Sequence, residues 1–462
     1  MGQVPRELTP LESALHFFGA QVRYWRTLRA LSQTGLGRRT HDSGALIGKI
    51  EKGERFPSLA LAQRLWPQLE QERAAREAPG EAPGEDDESE VGEVGLAWLA
   101  TLQATVEVVG RLWRADMHRR PILASATWVP AAFAGPIREW LLNREDEIAQ
   151  GWGSRHVSQS DIDALWAMCE AFTDVDQRLG GGYARSTLLH YVNHVVFPLL
   201  NGSYQEAIGR ELMAATARLC DLCGWMSWDS GRQGLAQRYY IQALRLAQAS
   251  GNRALGAHIL ADMATQAYSL GDAAQTLELA SAGLDCGSPL TAARCAAWQG
   301  SAHAMRGDQR ACAQACLIAH RALDRMPPAG EQLWFKVFTP EHLTFEMLAM
   351  ASDLGRADEV QRLAPGVLTS ASAGGALRRQ IITTTALARS YLPSAGNSRA
   401  DIDQACVLLS QVIPSLGSLR STHSLDHVNA LRRALTAHAG HPSVQEVEDR
   451  FHATVATVGP PH

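Results

Sequence analysis

Four glycines, Gly231, Gly271, Gly307 and Gly355, punctuate the second half of the chain at intervals of 40, 36 and 48 residues. Each stands between two stretches with the apolar spacing of a helix, where a left-handed residue lets the chain reverse. Repetition at such a period marks stacked helix hairpins, none of which can bury its apolar face without a neighbour. That excludes a sheet-centred fold for this half of the chain.

The units carry small and aromatic residues in register. The first holds Gly224, Gly231, Ala236, Tyr240 and Ala243; the second, Ala264, Gly271, Asp272 and Ala280; the third, Gly300, Gly307, Asp308, Cys312 and Cys316. A weaker fourth turns at Gly355, and a fifth pair runs from Ile381 through Val412 with Ala388 and Ala405. This ladder resembles the tetratricopeptide repeat, whose usual period is about 34 residues, so the loops or helices here are lengthened. The resemblance implies an α-solenoid with a concave wall, closed by helices His423 to Ala439 and Val444 to Val458.

The second organising stretch is Phe18 to Ser58. Val22, Trp25 and Leu28 share one helical face that Leu11, Leu15 and Phe18 extend backwards. Ser32 stands as an N-cap before a short helix from Gln33 to about Arg39; Thr40 to Ser43 make a turn; and Ser43 caps a third helix through Glu51, stopped at Gly53. Leu59, Ala62, Leu65, Trp66 and Leu69 lie on one side of a further helix.

The residues Leu28, Leu31, Ser32, Gln33, Leu36, Ser43, Ile47, Ile50, Glu51, Lys52, Gly53, Glu54, Arg55, Pro57 and Ser58 give this stretch a clear resemblance to the Xre-type helix-turn-helix of bacterial regulators. The resemblance implies that Ser32, Gln33 and the start of that helix touch phosphate. It also implies that Ser43, Gly44, Ala45 and Lys49 face the major groove, where bases present distinct donors and acceptors. Arg23, Arg38, Arg39, Thr40, Lys52 and Arg55 complete the expected DNA-binding set. Gly35 and Gly37 depart from the pattern, each weakening its helix by about 1 kcal/mol relative to Ala. Gly44, Ala45 and Gly48 leave little side chain where base readers sit.

Charge follows the same division. Residues 1–76 hold 12 Lys/Arg against 7 Asp/Glu, residues 77–93 hold 8 acids and no base, and the remainder holds 31 bases and 33 acids. A basic head, an acidic connector and a near-neutral body suit a DNA-binding module tied to something else. The expected organisation is all-α: a helix-turn-helix domain over 1–73, a flexible acidic Pro/Gly linker over 74–95, a helical connector over 96–156 and the repeat body over 157–462. Within it, Leu96 to Trp113, Ile137 to Gln150, Asp161 to Leu179 and Tyr183 to Leu199 read as helices, the last two joined at Gly180-Gly181-Gly182. That triple glycine reads as a close helix crossing, not a phosphate cradle, because no apolar strand precedes it and no Lys-Ser/Thr follows.

Eight cysteines in 462 residues make no disulfide framework. The N-terminus does not read as a signal peptide and no apolar run reaches membrane-spanning length, so the expectation is a cytoplasmic protein with reduced thiols and no membrane partner. Arg119 to Pro136, twin Arg before an apolar run broken by three prolines, reads as a buried connector. Metalloprotease, hydrolase-elbow and nucleotide-loop motifs do not occur, and the chain reads as neither enzyme nor cofactor carrier. Cys220-x-x-Cys223 reads as core. Cys312, Cys316 and His320 step by four along one helix with His303 on the preceding one; they too read as packing, and no metal site is expected. Most tryptophans fall on apolar faces. Glu145 and Asp146, and Asp174 and Asp176, read as solvated surface. Arg238, Arg245, Arg378, Arg379 and Arg389 are candidates to line a groove for an acidic peptide.

The full layout, including GGGYAR and GWMSWDSGRQGLAQRYYIQALRLA, resembles actinobacterial regulators of development, sporulation and antibiotic production. That resemblance implies transcription control, often repression. The repeat body would form a homodimer and sense a peptide, small ligand or partner protein. The rival, motivated by Gly44, Ala45 and Gly48, is a scaffold that grips another regulator through its groove without reading DNA.

Overall fold

The computed structural model describes residues 19–20, 22–23, 26–27, 31–55, 61, 65, 94–117, 126–142, 151–285, 288–326, 338–393, 400–416 and 419–458. The acidic stretch 74–93, the arm 1–10, Trp25, Trp66, the twin arginines, Glu145 and Asp146 lie outside them.

Two short helices define the head, α1 (Gln33–Arg39) and α2 (Gly44–Glu51). The hydroxyl of Ser32 accepts from the Gly35 amide at 2.9 Å and that of Ser43 from the Leu46 amide at 3.2 Å, so both expected caps satisfy amides that a helix start leaves open. Val22, Leu36, Ile47, Ile50, Leu61 and Leu65 are buried together beneath them.

The rest of the described residues are mainly helical, and the helices pack in sequential pairs. In chain order they are α3 (Leu102–Met117), α4 (Ala134–Leu142), α5 (Gln159–Leu179), α6 (Gly181–Tyr191), α7 (Phe197–Leu200), α8 (Glu206–Asp229), α9 (Gln233–Ser250), α10 (Arg253–Ser269), α11 (Ala273–Leu284), α12 (Pro289–Met305), α13 (Gln309–Leu323), α14 (Pro340–Asp353), α15 (Ala357–Ala373), α16 (Leu377–Ser390), α17 (Ile402–Leu416), α18 (Thr422–Leu435) and α19 (Pro442–Val458). Gly231, Gly271, Gly307 and Gly355 turn the hairpins α8–α9, α10–α11, α12–α13 and α14–α15 with φ between 69° and 81°. A side chain at such a φ would strain the backbone, so these positions favour glycine. Asn252, Asp272 and Asp308 then cap the helices that follow, each accepting from an amide three residues on at 2.9–3.0 Å. Gly224 lets Tyr240 approach: a Cβ there would stand 2.7 Å from the ring.

Two helices depart from their expected bounds. Residues 94–101 do not join α3; α9 draws their carbonyls out instead, with Gln242 Nε2 donating to Gly95 and Ala97 O at 2.9 and 3.0 Å and Arg245 Nε to Leu99 O at 2.8 Å. The helix expected to run on to Leu199 widens into a π-turn over Val192–Val196. Pro198 has no amide to give to the carbonyl four residues back, which favours such a break. A two-residue antiparallel ribbon, Gly151–Trp152 with Ser203–Tyr204, is a small addition to the helical fold.

The array turns back on itself: α16 touches α5, and α18 touches α8. Gly182 N donates to Arg420 O at 3.3 Å, and a Cβ on Gly180 would meet that oxygen at 2.7 Å. The triple glycine is thus a close crossing. Among the described residues no helix is long and apolar enough to cross a membrane.

Candidate nucleic-acid interface

One buried carboxylate assembles the head. Glu51, 1% exposed, is gripped through both oxygens by Arg26 and accepts from Gln33 Nε2 at 2.8 Å. Arg23 donates to the Glu51 backbone oxygen at 2.6 Å, and Arg26 reaches Leu31 O at 2.6 Å. The clamp joins the helix preceding α1, α1 itself and the end of α2, fixing how α2 is presented.

Small residues set the closeness of the two helices. A Cβ on Gly44 would stand 2.9 Å from Thr34 backbone atoms, and one on Gly48 would stand 3.1 Å from Gln33 Oε1. Both glycines therefore face α1. On the adjoining face, about a quarter turn round, Ala45, Lys49 and Lys52 form an exposed stripe at steps of four and three, with Ser43 exposed before the helix start. Arg38 and Arg39 are exposed at the end of α1, just before the turn that leads into α2, and Arg55 is exposed just past α2.

The twelve expected residues thus divide. Ser32, Arg38, Arg39, Ser43, Ala45, Lys49, Lys52 and Arg55 lie exposed. Thr40 is buried, its hydroxyl donating to Leu36 O at 3.1 Å. Arg23 and Gln33 are half-buried in the Glu51 clamp, and Gly44 sits in the helix contact. Sequence reasoning singled out Glu51 only as a motif position and did not single out Arg26. A lone acid closing an otherwise apolar helix, Ile47-x-x-Ile50-Glu51, was the available sign.

Three buried ion clusters stand out among the described residues of the body, and the sequence did not announce them. Asp116 is clasped by Arg185 and accepts from Tyr239 Oη at 2.7 Å. Arg378 bridges Asp176 at 3.2 Å and Asp229 at 2.8 Å; Trp225 Nε1 donates to Asp176, and Ser421 Oγ to Asp229 at 2.6 Å. Arg378, its side chain 12% exposed, is thus taken up by two acids, and Asp176 is buried, not solvated. Arg238 and Arg245 are buried in α9 as well, while Arg379 contacts His342 Nδ1 at 3.0 Å.

In the third cluster Asp221, His258 and Asp262 bring ligand-type atoms within 4.8 Å of one another. Arg218 donates to Asp221 at 2.5 Å, Arg294 holds Asp262, and Arg294 Nη1 lies 2.7 Å from His258 Nδ1. Desolvation and the neighbouring Asp262 push the Asp221 carboxyl up to about 8, while burial and the two guanidiniums hold His258 well below its usual range. Two arginines already occupy these acids, so a cation would face direct repulsion and this cluster does not suit a metal.

Cys220 and Cys223 are buried, as are Trp113, Trp140, Trp228 and Trp298. No protein-family model matches the chain, and no curated protein or solved structure proves similar to it. The functional reading therefore rests on the geometry and on the sequence motif.

Proposed function

We propose that the protein is a DNA-binding transcriptional regulator. A helix-turn-helix head grips the duplex, and a tetratricopeptide-like body dimerises and senses a peptide, small ligand or partner protein. The observation that carries this is the exposed pair Ala45 and Lys49 on α2 with the exposed cap residues Ser43 and Lys52 at its ends, flanked by Arg38, Arg39 and Arg55. A rigid helix with one cationic face and no bulky side chain near its start fits a major groove. Ala45 offers a methyl to a thymine methyl, Lys49 is long enough to reach a guanine edge, and the arginines suit flanking phosphates. Gly44 and Gly48 face α1, so their lack of side chains supports close helix packing as well as the scaffold reading, to which exposed Ala45 still speaks. A repressor of development or antibiotic production remains the narrower reading that the family resemblance favours.

Two heads on a dimeric body would meet half-sites about one helical turn apart. A ligand on the body alters that spacing only if it binds the competent and incompetent shapes with different affinity. The test is a salt titration of the full-length protein on upstream DNA of its own operon and on the same bases shuffled. Tighter binding to the native sequence is expected, with affinity falling steeply as salt rises. Lys49→Ala should narrow the native-to-shuffled ratio, whereas Arg38→Ala should weaken both equally and lower the salt slope by about one. Equal affinity for both sequences in the unsubstituted protein would point to the scaffold instead.

A further inference from the structure

Almost every residue of α9 is buried, yet one of its faces is polar. Gln237, Arg238, Gln242, Arg245 and Gln248 lie along that face at steps of one, four, three and three, each less than a tenth exposed. Buried polar groups need partners, and here the partners are backbone groups of two stretches outside any helix, 126–129 and 94–101. Gln237 pairs with Val129 as one amide with another: its Oε1 accepts from the Val129 amide at 3.0 Å and its Nε2 donates to the Val129 carbonyl at 2.7 Å. Gln242 is only half used. Its Nε2 donates to Gly95 O at 2.9 Å and to Ala97 O at 3.0 Å, but its buried Oε1 finds no hydrogen-bond partner among the described residues. Arg245 Nε donates to Leu99 O at 2.8 Å, and its guanidinium stands 5.7 Å from the centre of the Trp98 ring. The segment that lies here is shallow. Val94 and Gly95 are buried, Leu96, Trp98 and Leu99 half-buried, and Ala97, Ala100 and Thr101 exposed.

We propose that this face of α9 is a peptide-binding groove, that residues 94–101 are its displaceable resident, and that an extended segment of a partner protein takes their place. The orphaned Gln242 oxygen marks the resident as an imperfect fit, since a buried acceptor left open costs free energy that a better-matched strand recovers. Such a strand offers Gln242 both the N–H and the C=O of one residue, as Val129 offers them to Gln237, and lays an aromatic side chain against Arg245. Main-chain bonds then supply affinity and the aromatic residue supplies specificity. Gly95, at φ 89°, turns the resident away from that extended path. A second copy of the chain is a poorer occupant. It brings the same turn and the same open acceptor, and its α3, which starts at Leu102, would have to reach α9 where the resident α3 already packs. On the proposed reading of the body as a sensor, displacement is also the signal. It frees eight residues between the head and α3, about 27 Å of added reach when extended.

The probe is the fluorescein-labelled peptide VGLAWLAT, the resident's own sequence, titrated by anisotropy into full-length protein whose residues 94–101 are replaced by a Gly/Ser run of equal length. One equivalent should bind. The unsubstituted protein should bind at least about tenfold more weakly, because its tethered resident competes. In the vacated chain, Gln242→Met should weaken binding about tenfold by removing two hydrogen bonds at nearly constant volume. A peptide with alanine in place of its tryptophan should bind about fivefold more weakly. The peptide VALAWLAT, which lacks the glycine turn, should bind about fivefold more tightly than the resident sequence. Far-UV circular dichroism checks that each variant folds. Trp98→Ala alone, a milder change to the full chain, should also tighten peptide binding over the unsubstituted protein. No binding to the folded vacated chain, equal affinity of vacated and unsubstituted proteins, or indifference to Gln242 would each overturn the groove. Weaker binding of VALAWLAT would show a site fitted to its own segment and overturn the partner. So would self-association, measured by sedimentation, that is lost when the segment is replaced, because the occupant would then be a second copy. None of these readouts involves DNA, so they stand or fall apart from the reading of the head.

Discussion

A carboxylate taken out of water must be paired or hydrogen-bonded, and Glu51 is both. Removing it strands the Arg26 guanidinium and the Gln33 amide, so Glu51→Ala should cost the head about 2–4 kcal/mol. Hydrogen exchange should then show protection at the Ile47, Gly48 and Ile50 amides falling about 30-fold or more, with the body unaffected. Unchanged protection would mean that the apolar core beneath holds the head without the clamp. Asp221 gives a second prediction at this scale. An unfolded aspartate releases its proton near pH 3.9. The native carboxyl, raised to about 8 by desolvation and by Asp262, keeps it longer. The native state therefore binds the extra proton between those values. Its contribution to stability is full below pH 4 and is lost as pH rises towards 8, by at most about 1.4 kcal/mol per unit. Asp221→Asn cannot lose a proton, so its melting temperature relative to the parent should climb from pH 5 to pH 8. His258, held neutral with the opposite sign, is present in both proteins and cancels to first order. Parallel melting curves would mean that native Asp221 is already ionised at pH 5.

Each hairpin is an agreement between a glycine that turns the chain and small residues that admit a neighbour. Gly224 illustrates the second part. Alanine there gains about 1 kcal/mol of helix propensity but drives a methyl to 2.7 Å from the buried Tyr240 ring. Overpacking of that kind costs about 1–3 kcal/mol, so Gly224→Ala should lower the urea midpoint, and Gly224→Ala/Tyr240→Leu should recover part of the loss. A midpoint unmoved by Gly224→Ala would show the two helices free to slide apart. The turns, their glycines, the caps at Ser32 and Ser43 and the buried CxxC were all legible in the sequence, because each depends on residues close along the chain. What was hidden depends on contacts across long separations. The sequence does not tell which carbonyls of residues 94–101 α9 will take, nor that Arg238 and Arg245 point inward. Gly44 and Gly48 likewise read as missing base readers until the crossing of α1 and α2 shows that they face the neighbouring helix.

At the scale of the whole body, a stack of hairpins has two ends, and here one end folds back upon the other. The seam is polar. Arg378 on α16 meets Asp176 on α5 and Asp229 on α8, two acids about 50 residues apart in sequence, and Ser421 beside α18 adds a hydrogen bond to Asp229. His423, whose ring packs tilted against Trp228 with centroids 4.3 Å apart, lies at the same seam, and burial holds its pKa well below the usual range. An ion cluster of this kind favours one closure over others more than it adds net stability, since well-packed apolar residues of the same volume would serve at least as well. Its value to a sensor would be that closure is all-or-none: a ligand favouring the open or closed body then biases one discrete equilibrium. Arg378→Met keeps most of the volume but leaves Asp176 and Asp229 buried without their cation, at a cost of about 3–5 kcal/mol. Small-angle scattering should report a larger radius of gyration for this variant, and α18 amides should exchange faster. Adding Asp176→Asn and Asp229→Asn removes the stranded charges and should restore much of the stability, because the penalty lies in the unpaired acids and not in the absent arginine. If Arg378→Met alone leaves both radius and exchange unchanged, the seam is held by its apolar contacts and a charge-based opening is ruled out.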